Sequence, residues 1–247
     1  MHSKNEILRK CGAVLLLLLI MGLAACGKSA AVTEVEDAIT KIGKVTLDSG
    51  TAITTAQKKY DALDEKERAD VSNYQTLVAS AERFSRLEEK HYQQCYDDAV
   101  GKMLDTLVIA EKMCNQTLDV WHNAIWKTED EETNAFTKDD NGRFFDDFND
   151  ALNKLSASDG YREQRDALQQ NDAELQALVS VVKDPPEKFK GSMLDAFVDY
   201  YAEYQGFIQF IQNYNESYNS FSEKFNQFEE TSINAYREAA FFTSRGK

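Results

Sequence analysis

The sequence feature that most constrains the fold is a long run of apolar residues at helical spacing between residues 90 and 127. Apolar side chains recur there every three or four positions: Val100, Met103, Leu107, Ala110, Cys114, Leu118, Trp121 and Ile125. This period predicts a long amphipathic helix whose coiled-coil-like seam must be buried against other helices. The pattern leaves open whether the helix begins as early as Asn73.

Composition favours helices for the rest of the chain as well. Two prolines and eleven glycines in 247 residues provide too few turn residues for a sheet-based fold. We therefore predict an all-α protein, in which a long helix joins a short N-terminal helical module to an antiparallel helical bundle. The expected parts are a signal peptide (1–25), a tether (26–31), a small helical module (32–89) and the bundle (90–247).

Several residues predict where individual helices begin and end. Gly43 follows an apolar helical pattern and should close the first helix. Asp64 and Glu67 have the spacing of a capping box, which predicts a short helix from Asp64 to about Val71. The segment Asp184-Pro185-Pro186-Glu187 should stop one helix and start the next, with Asp184 as the N-cap.

Part of the N-terminal module resembles a known small helical repeat. Residues 38–82 read AITKIGKVTLDSGTAITTAQKKYDALDEKERADVSNYQTLVASAE, with an Ile-Gly-x-Val-Thr-Leu-Asp-Ser joint, a Tyr-Asp-Ala-Leu and a Val-x-Asn-Tyr-x-x-Leu. This pattern is similar to the FIVAR ("found in various architectures") modules of Gram-positive surface proteins. The resemblance implies a surface location and a spacer or accessory binding unit, and it brings no catalytic residues.

The N-terminus has the features of a secretion signal. Lys4, Arg9 and Lys10 precede an almost purely apolar stretch from Gly12 to Ala25. That stretch is shorter than the 20 or so residues of a membrane span, and it fits a signal peptide. Its end, Leu23-Ala24-Ala25-Cys26, resembles a bacterial lipobox, which implies that Cys26 carries diacylglycerol and is the mature N-terminus. The alternative is a plain signal peptide with a chance cysteine.

Charge excludes some classes of partner. The formal net charge is −14, and residues 1–25 contain three basic residues and one acidic residue, so the remainder carries about −16. Phosphate backbones and anionic lipid surfaces are bound by Lys/Arg patches. We therefore expect no nucleic-acid partner, and we expect the membrane to be engaged only through lipid on Cys26.

Aromatic residues supply the candidate binding surface. They are abundant in the last two predicted helices, and Trp121, His122 and Trp126 form an unusual local cluster in which His122 and Trp126 share a helix face. Exposed aromatic patches mark recognition surfaces, although packing in a bundle core is the alternative. The candidate binding residues are Trp121, His122, Trp126, Tyr200, Tyr201 and Tyr204. The region from Trp121 onward also resembles a recurrent all-helical domain of uncharacterised Gram-positive lipoproteins.

Motifs for chemistry are lacking in the sequence. His91 and His122 are the only histidines after the signal, and neither stands at metal-ligand spacing. We read Cys95 and Cys114 as buried apolar residues rather than reactive thiols. The expected function is a non-catalytic, lipid-anchored surface protein that binds a protein partner or an envelope glycan, with no metal and no cofactor. The alternatives are a receptor lipoprotein for a transporter or sensor and, third, an envelope hydrolase.

Overall fold

The regular structure of the protein is helical. The computed structural model describes residues 28–213 and 215–244, and within them the one β-type pairing is an isolated bridge between Lys138 and Phe144. The described helices are α1 Ala30–Ile42, α2 Gly50–Asp61, α3 Glu65–Ala69, α4 Tyr74–Trp126, α5 Asn134–Thr137, α6 Phe148–Ser156, α7 Asp159–Val182, α8 Ser192–Asn213 and α9 Tyr218–Phe241. The predicted all-α fold is confirmed.

The chain divides into two compact units between Glu88 and Glu89. Helix α4 is continuous across this division, so its first turns belong to the N-terminal unit and the remainder to the bundle. The continuity left open by the sequence is thereby settled, with Tyr74 rather than Asn73 as the first helical residue.

The N-terminal unit packs α1–α3 and the start of α4 around an aliphatic core. Its buried residues are Val32, Val35, Ile39, Ile42, Val45, Ile53, Ala56, Leu63, Val71 and Leu77. Helix α1 is capped by Ser29, whose hydroxyl accepts from the Val32 amide at 3.1 Å. It ends as predicted at Gly43, which has a φ of 58° that side chains other than glycine rarely adopt.

Two capping boxes fix the short elements that follow. Asp64 accepts from the Glu67 amide at 2.8 Å, and Glu67 accepts from the Asp64 amide at 3.4 Å. This confirms the predicted capping box, although α3 stops at Ala69 rather than near Val71. The same arrangement joins Thr46 and Ser49 around a 3₁₀ turn. Reciprocal caps of this kind satisfy amides that a helix leaves without partners.

Glu36 on α1 ties the segment before α4 to the first helix. Its carboxylate accepts from the Ser72 amide at 2.7 Å and the Ser72 hydroxyl at 2.5 Å, and it pairs with Lys28. The hydrogen bond from Lys28, followed by those from Ser72, lowers the pKa of Glu36 to about 2. The ionised form of Glu36 is therefore the form that this unit stabilises.

The second unit is an antiparallel four-helix bundle of the later part of α4 with α7, α8 and α9. Opposed contacts give the directions: Phe207 meets Phe225 and Phe210 meets Phe221, so residue numbers rise along α8 as they fall along α9. Helices α4 and α7 are also antiparallel, because residue numbers rise along α4 as they fall along α7. The contacts that show this are Tyr92 with Val182, Lys102 with Glu174 and Thr117 with Tyr161.

The apolar seam of α4 is buried along most of its length. Val100, Met103, Leu107, Ala110, Cys114 and Trp121 are at most 7 % exposed, whereas Ile125 is 38 % exposed. Cys95 and Cys114 are both buried, as the sequence predicted, and both are free in the structure. The seam therefore reaches solvent only near the C-terminus of α4.

The Asp184–Glu187 segment stops α7 but does not start α8, which corrects one prediction. A 3₁₀ turn, Glu187–Phe189, follows the prolines, and α8 begins only at Ser192. Gly191 separates the two with a φ of 87°, which a continuing helix cannot contain. Phe189 stacks on Tyr92 at 4.8 Å, and this contact holds the turn against α4.

Candidate binding site

The six candidate binding residues do not form one surface. Trp121, Tyr200, Tyr201 and Tyr204 are at most 5 % exposed, whereas Trp126 is 55 % exposed and His122 is also exposed. A ligand in solution therefore cannot stack on these four rings, although Trp121 contributes to the lining of a cleft. The predicted aromatic surface is therefore reduced to His122 and Trp126, and the other four residues belong to the core.

The three tyrosines of α8 are buried because more than one helix of the bundle packs against α8. Tyr204 donates to Asp172 of α7 at 3.3 Å, and the Tyr201 hydroxyl bonds Gln176 of α7 at 3.1 Å. Burial raises the pKa of Tyr204 and of Tyr200 above the ordinary tyrosine value. The phenols of Tyr200 and Tyr204 are therefore structural groups that stay protonated.

Trp121 is the centre of an aromatic cluster inside the bundle. Its ring stacks on Phe148 of α6 at 5.8 Å and lies edge-on to Tyr218 of α9 at 5.9 Å. Phe221 approaches the same ring at 6.0 Å. Trp121 thus supports the surface residues of the next turn without being exposed itself.

His122, Trp126 and Tyr218 form an aromatic ledge on the surface above Trp121. The rings of His122 and Trp126 stack with centroids 4.4 Å apart and an interplanar angle of 29°, as expected for positions four residues apart on a helix. Tyr218 meets Trp126 edge-on at 5.6 Å. The three rings immobilise one another and leave more than half of Trp126 open to solvent.

The chain reverses sharply just after the ledge. The Thr128 amide donates to the carbonyl of Asn123 at 3.1 Å, which is the six-residue bond of a Schellman cap. Lys127 occupies the left-handed position with a φ of 53°, and its ammonium group bonds the carbonyl of Phe145. This cap fixes the backbone that carries Trp126.

A cleft of about 390 Å³ borders the ledge. Its apolar lining residues are Trp121, Ile125, Phe148, Leu152 and Tyr218, and its polar lining residues are Asn149, Asn215, Glu216 and Ser217. Hydrogen bonds from Lys224 and Ser220 lower the pKa of Glu216, so this group is an anion that accepts hydrogen bonds. A mostly apolar and aromatic lining with a few polar groups is the usual composition of a small-ligand site.

Sequence reasoning identified His122 and Trp126 from their spacing but missed Tyr218. Tyr218 begins α9, immediately after the N-cap Ser217, and it reaches the ledge because α9 runs antiparallel to α4. Its sequence position gives no local sign of this contact. The lengths of the two helices and their opposite directions were the only sequence information that could have predicted it.

Groups suited to covalent or metal chemistry are scarce in the described ranges. No cluster of three or more His, Cys, Asp or Glu side chains that could hold a metal ion occurs there. Burial raises the pKa of Cys114 and of Cys95, which leaves both thiols in their unreactive form. A cavity of about 1100 Å³ along α4 is an open groove whose lining mixes Lys, Gln and Asp residues with apolar residues such as Val100 and Leu178.

The predicted lipid attachment site, Cys26, and the signal peptide 1–25 lie outside the described residues. Among residues 28–213 and 215–244, no helix combines the length and the apolarity needed to cross a bilayer. The first described helix, α1, starts at Ala30, four residues after Cys26 in the sequence.

Comparison with protein-family models, with curated proteins and with solved structures finds no match to this chain. The resemblance to FIVAR modules and to lipoproteins of Gram-positive bacteria therefore stays a prediction from the sequence.

Proposed function

We propose that this protein is a non-catalytic, lipid-anchored protein of the bacterial cell surface, and that its aromatic ledge binds an envelope glycan. One observation carries the glycan assignment: Trp126 is 55 % exposed, and its ring meets Tyr218, which lines a cleft that also contains polar groups. A pyranose ring has C–H groups on its faces and hydroxyls around its edge. It can therefore stack on Trp126 while its hydroxyls bond the polar residues of the neighbouring cleft.

Charge narrows the class of glycan. Glu129 and Glu216 are paired with Lys138 and Lys224, but Glu132 is exposed in the loop that follows the ledge, and the chain after residue 25 carries a net charge of about −16. A polyphosphate or uronic-acid polymer is repelled by this net negative charge. The proposed ligand is therefore a neutral stretch of sugar rings.

The anchoring part of the proposal rests on the sequence of residues 1–26. A diacylglyceryl group on Cys26 supplies two acyl chains, and two chains give stable anchoring where a single chain binds only marginally. Replacing Cys26 by alanine should release the protein from membranes into the soluble fraction. If the Cys26→Ala protein stays in the membrane pellet, the lipid-anchor proposal is wrong.

Co-sedimentation with purified cell-wall glycan tests the ledge. Trp126→Ala should raise the dissociation constant at least about fivefold, because a central exposed aromatic ring contributes more than about 1 kcal/mol to such contacts. The matched control is Phe241→Ala, which removes another exposed aromatic ring, 69 % exposed, at the far end of α9. Equal losses in both variants would show that general surface apolarity, rather than the ledge, drives sedimentation.

Photo-crosslinking from position 126 on intact cells separates a glycan from a protein partner. Sugar adducts at this position support the proposal. A single recurring protein partner, with no sugar adducts, would replace the glycan by a protein at this ledge.

A further inference from the structure

A buried polar network lies directly beneath the aromatic ledge. Asn123 and Thr133 are 8 % and 4 % exposed, and Asp130 is half-buried between them. Asn123 precedes the C-terminus of α4 by one turn, while Asp130 and Thr133 belong to the loop that follows it. Buried polar groups are costly unless each one has a partner, so the directions of these hydrogen bonds are constrained.

The carboxylate of Asp130 determines how the amide of Asn123 is oriented. The Thr133 hydroxyl donates to Asp130 Oδ2 at 2.8 Å, and Asn123 Nδ2 donates to Thr133 Oγ1 at 2.9 Å and to Asp130 Oδ2 at 3.3 Å. An ionised carboxylate only accepts hydrogen bonds, so the NH₂ group of Asn123 must face Asp130. The amide oxygen of Asn123 is thereby turned towards His122.

The orientation of Asn123 in turn decides which nitrogen of His122 carries the proton. His122 Nδ1 lies 2.9 Å from Asn123 Oδ1, and an amide oxygen can only accept. Nδ1 must therefore donate. In the neutral imidazole this leaves Nε2 without a proton, as a hydrogen-bond acceptor.

We propose that the Asp130–Thr133–Asn123 network locks His122 in its Nδ1–H tautomer, so that Nε2 accepts a hydrogen bond from a hydroxyl group of the bound sugar. This inference rests on the proposed glycan-binding function and adds a selection rule to it. The ledge takes sugars that have a free hydroxyl next to the face that stacks on Trp126. His122 touches the ligand, whereas Asn123, Thr133 and Asp130 act as positioning residues.

The tautomer can be measured without any ligand. Long-range ¹H–¹⁵N correlation spectra of the complete chain, labelled at histidine and recorded at about pH 8.5, where an ordinary imidazole is neutral, distinguish the two ring nitrogens. The His122 signals are assigned by their loss in His122→Gln. We expect a protonated Nδ1 and an unprotonated Nε2. A ring protonated at Nε2, or an even mixture, overturns the proposal even if glycan binding persists.

Substitution of Asp130 tests whether the network causes the lock. Asp130→Ala removes the acceptor that orients Asn123, so the amide can rotate and the Nε2–H tautomer should become populated. Glu131→Ala is the matched control, since it removes the same charge from an exposed neighbouring position. A tautomer unchanged by Asp130→Ala contradicts the positioning role.

The binding measurement connects the lock to the ligand. The probes are the tetrasaccharide of N-acetylglucosamine and its permethylated form, which retains the ring faces but has no hydroxyl donors. We expect the free sugar to bind, permethylation to weaken binding, and Asp130→Ala to weaken binding of the free sugar up to about tenfold, the effect of one hydrogen bond. Glu131→Ala should bind as the wild type does.

The two proposals fail in different ways. Equal binding of both probes by the wild type, through Trp126, overturns the role of His122 Nε2 and leaves glycan binding in place. Binding of neither this tetrasaccharide nor cell-wall glycan overturns the proposed function, and with it the assignment of a sugar hydroxyl to Nε2.

Discussion

The two units fill their interiors with different kinds of side chain. The buried apolar residues of the N-terminal unit are all aliphatic. The core of the bundle is rich in aromatic rings, namely Tyr92, Tyr96, Trp121, Tyr161, Phe197, Tyr200, Tyr201, Tyr204, Phe207, Phe221 and Phe225. Aliphatic side chains need only be covered, whereas a buried tyrosine also needs a partner for its hydroxyl. The bundle is therefore specified by polar contacts inside its core, and the N-terminal unit by polar contacts at its surface.

Two tyrosines of α4 illustrate this difference. Tyr92 donates to the carbonyl of Val182 at 3.1 Å, and Tyr96 donates to the carbonyl of Ala239 at 2.9 Å. The carbonyl of Val182 lies at the end of its helix, where no amide of the helix is left to bond it, whereas the carbonyl of Ala239 also accepts from the Phe242 amide at 3.1 Å. Tyr92 and Tyr96 thus bond the last turns of α7 and α9 from within the core, while the N-caps of the N-terminal unit, Ser29, Thr46 and Asp64, are exposed.

Large-to-small substitutions in the two cores should have the largest effects on stability, and each should act on its own unit. Phe197→Ala should destabilise the bundle by about 4 kcal/mol, because Phe197 is fully buried and its removal leaves a ring-sized cavity. Leu77→Ala should cost the N-terminal unit about 3 kcal/mol. Both tryptophans lie in the bundle, so urea unfolding followed by tryptophan fluorescence reports on Phe197→Ala, and hydrogen exchange of α1–α3 reports on Leu77→Ala. Equal loss of exchange protection in both units for either variant would contradict the division.

The same tyrosine-to-phenylalanine change should have opposite signs at two buried positions. Tyr96→Phe leaves the carbonyl of Ala239 with the Phe242 amide as its remaining donor and should cost about 1 kcal/mol. The hydroxyl of Tyr200 is buried and has no hydrogen-bond partner in the described part of the chain, so Tyr200→Phe should be neutral or stabilising by about 1 kcal/mol. Urea midpoints of the two variants give the comparison. A cost at Tyr200 similar to that at Tyr96 would indicate that its hydroxyl has a partner after all.

Acid should weaken the N-terminal unit through Glu36. The folded pKa of about 2 is below the ordinary glutamate value, so the stabilisation is present above that ordinary value and is lost as the pH falls towards 2. Glu36→Gln should cost about 1 kcal/mol at neutral pH, a modest amount because the site is close to solvent. It should also flatten the acid dependence of hydrogen-exchange protection in α1. Asp37→Asn, which changes the neighbouring exposed carboxylate, is the control; a wild-type-like acid profile in Glu36→Gln would count against this mechanism.

Local patterns in the sequence predicted the helices better than they predicted the core of the bundle. The α4 seam, the stop at Gly43 and the Asp64–Glu67 capping box follow from spacing and backbone preference alone. Tyr200 and Tyr201 are adjacent, so they point about 100° apart on a helix. Both are buried because α8 packs on more than one neighbouring helix. Helical period alone cannot show how many sides of a helix are covered.

The sequence predicted the contacts of the aromatic ledge that lie within one helix, but not those between different elements. The stacking of His122 on Trp126 is a contact within one helix turn and follows from their spacing. Tyr218 and the Asn123–Asp130–Thr133 network come from other elements, and their positions depend on how α9 and the loop after α4 pack. The prediction for the Pro185-Pro186 segment was wrong for a similar reason. Local preferences favoured a helix start there, whereas the stacking of Phe189 on Tyr92 holds a turn.

The smallest predicted effect concerns how each unit ends a helix. Gly43 and Lys127 both have positive φ, 58° and 53°, but only one of them is glycine. A lysine in this region is strained by about 1 kcal/mol, and glycine also has a larger conformational entropy in the unfolded chain. Lys127→Gly should therefore stabilise the bundle by only about 0.5 kcal/mol, measured as the urea midpoint of tryptophan fluorescence.

Gly43→Ala is the control, because it places a side chain where the structure has a glycine at positive φ. It should destabilise the N-terminal unit, since the ψ of −134° at Gly43 is accessible essentially only to glycine. The ammonium of Lys127 also bonds the carbonyl of Phe145 next to the ledge. If Lys127→Gly destabilises the bundle, that bond contributes more than the backbone strain costs. In that case the hydrogen bond from Lys127 stabilises the loop next to Trp126. The strained cap would then contribute directly to the position of the aromatic ledge.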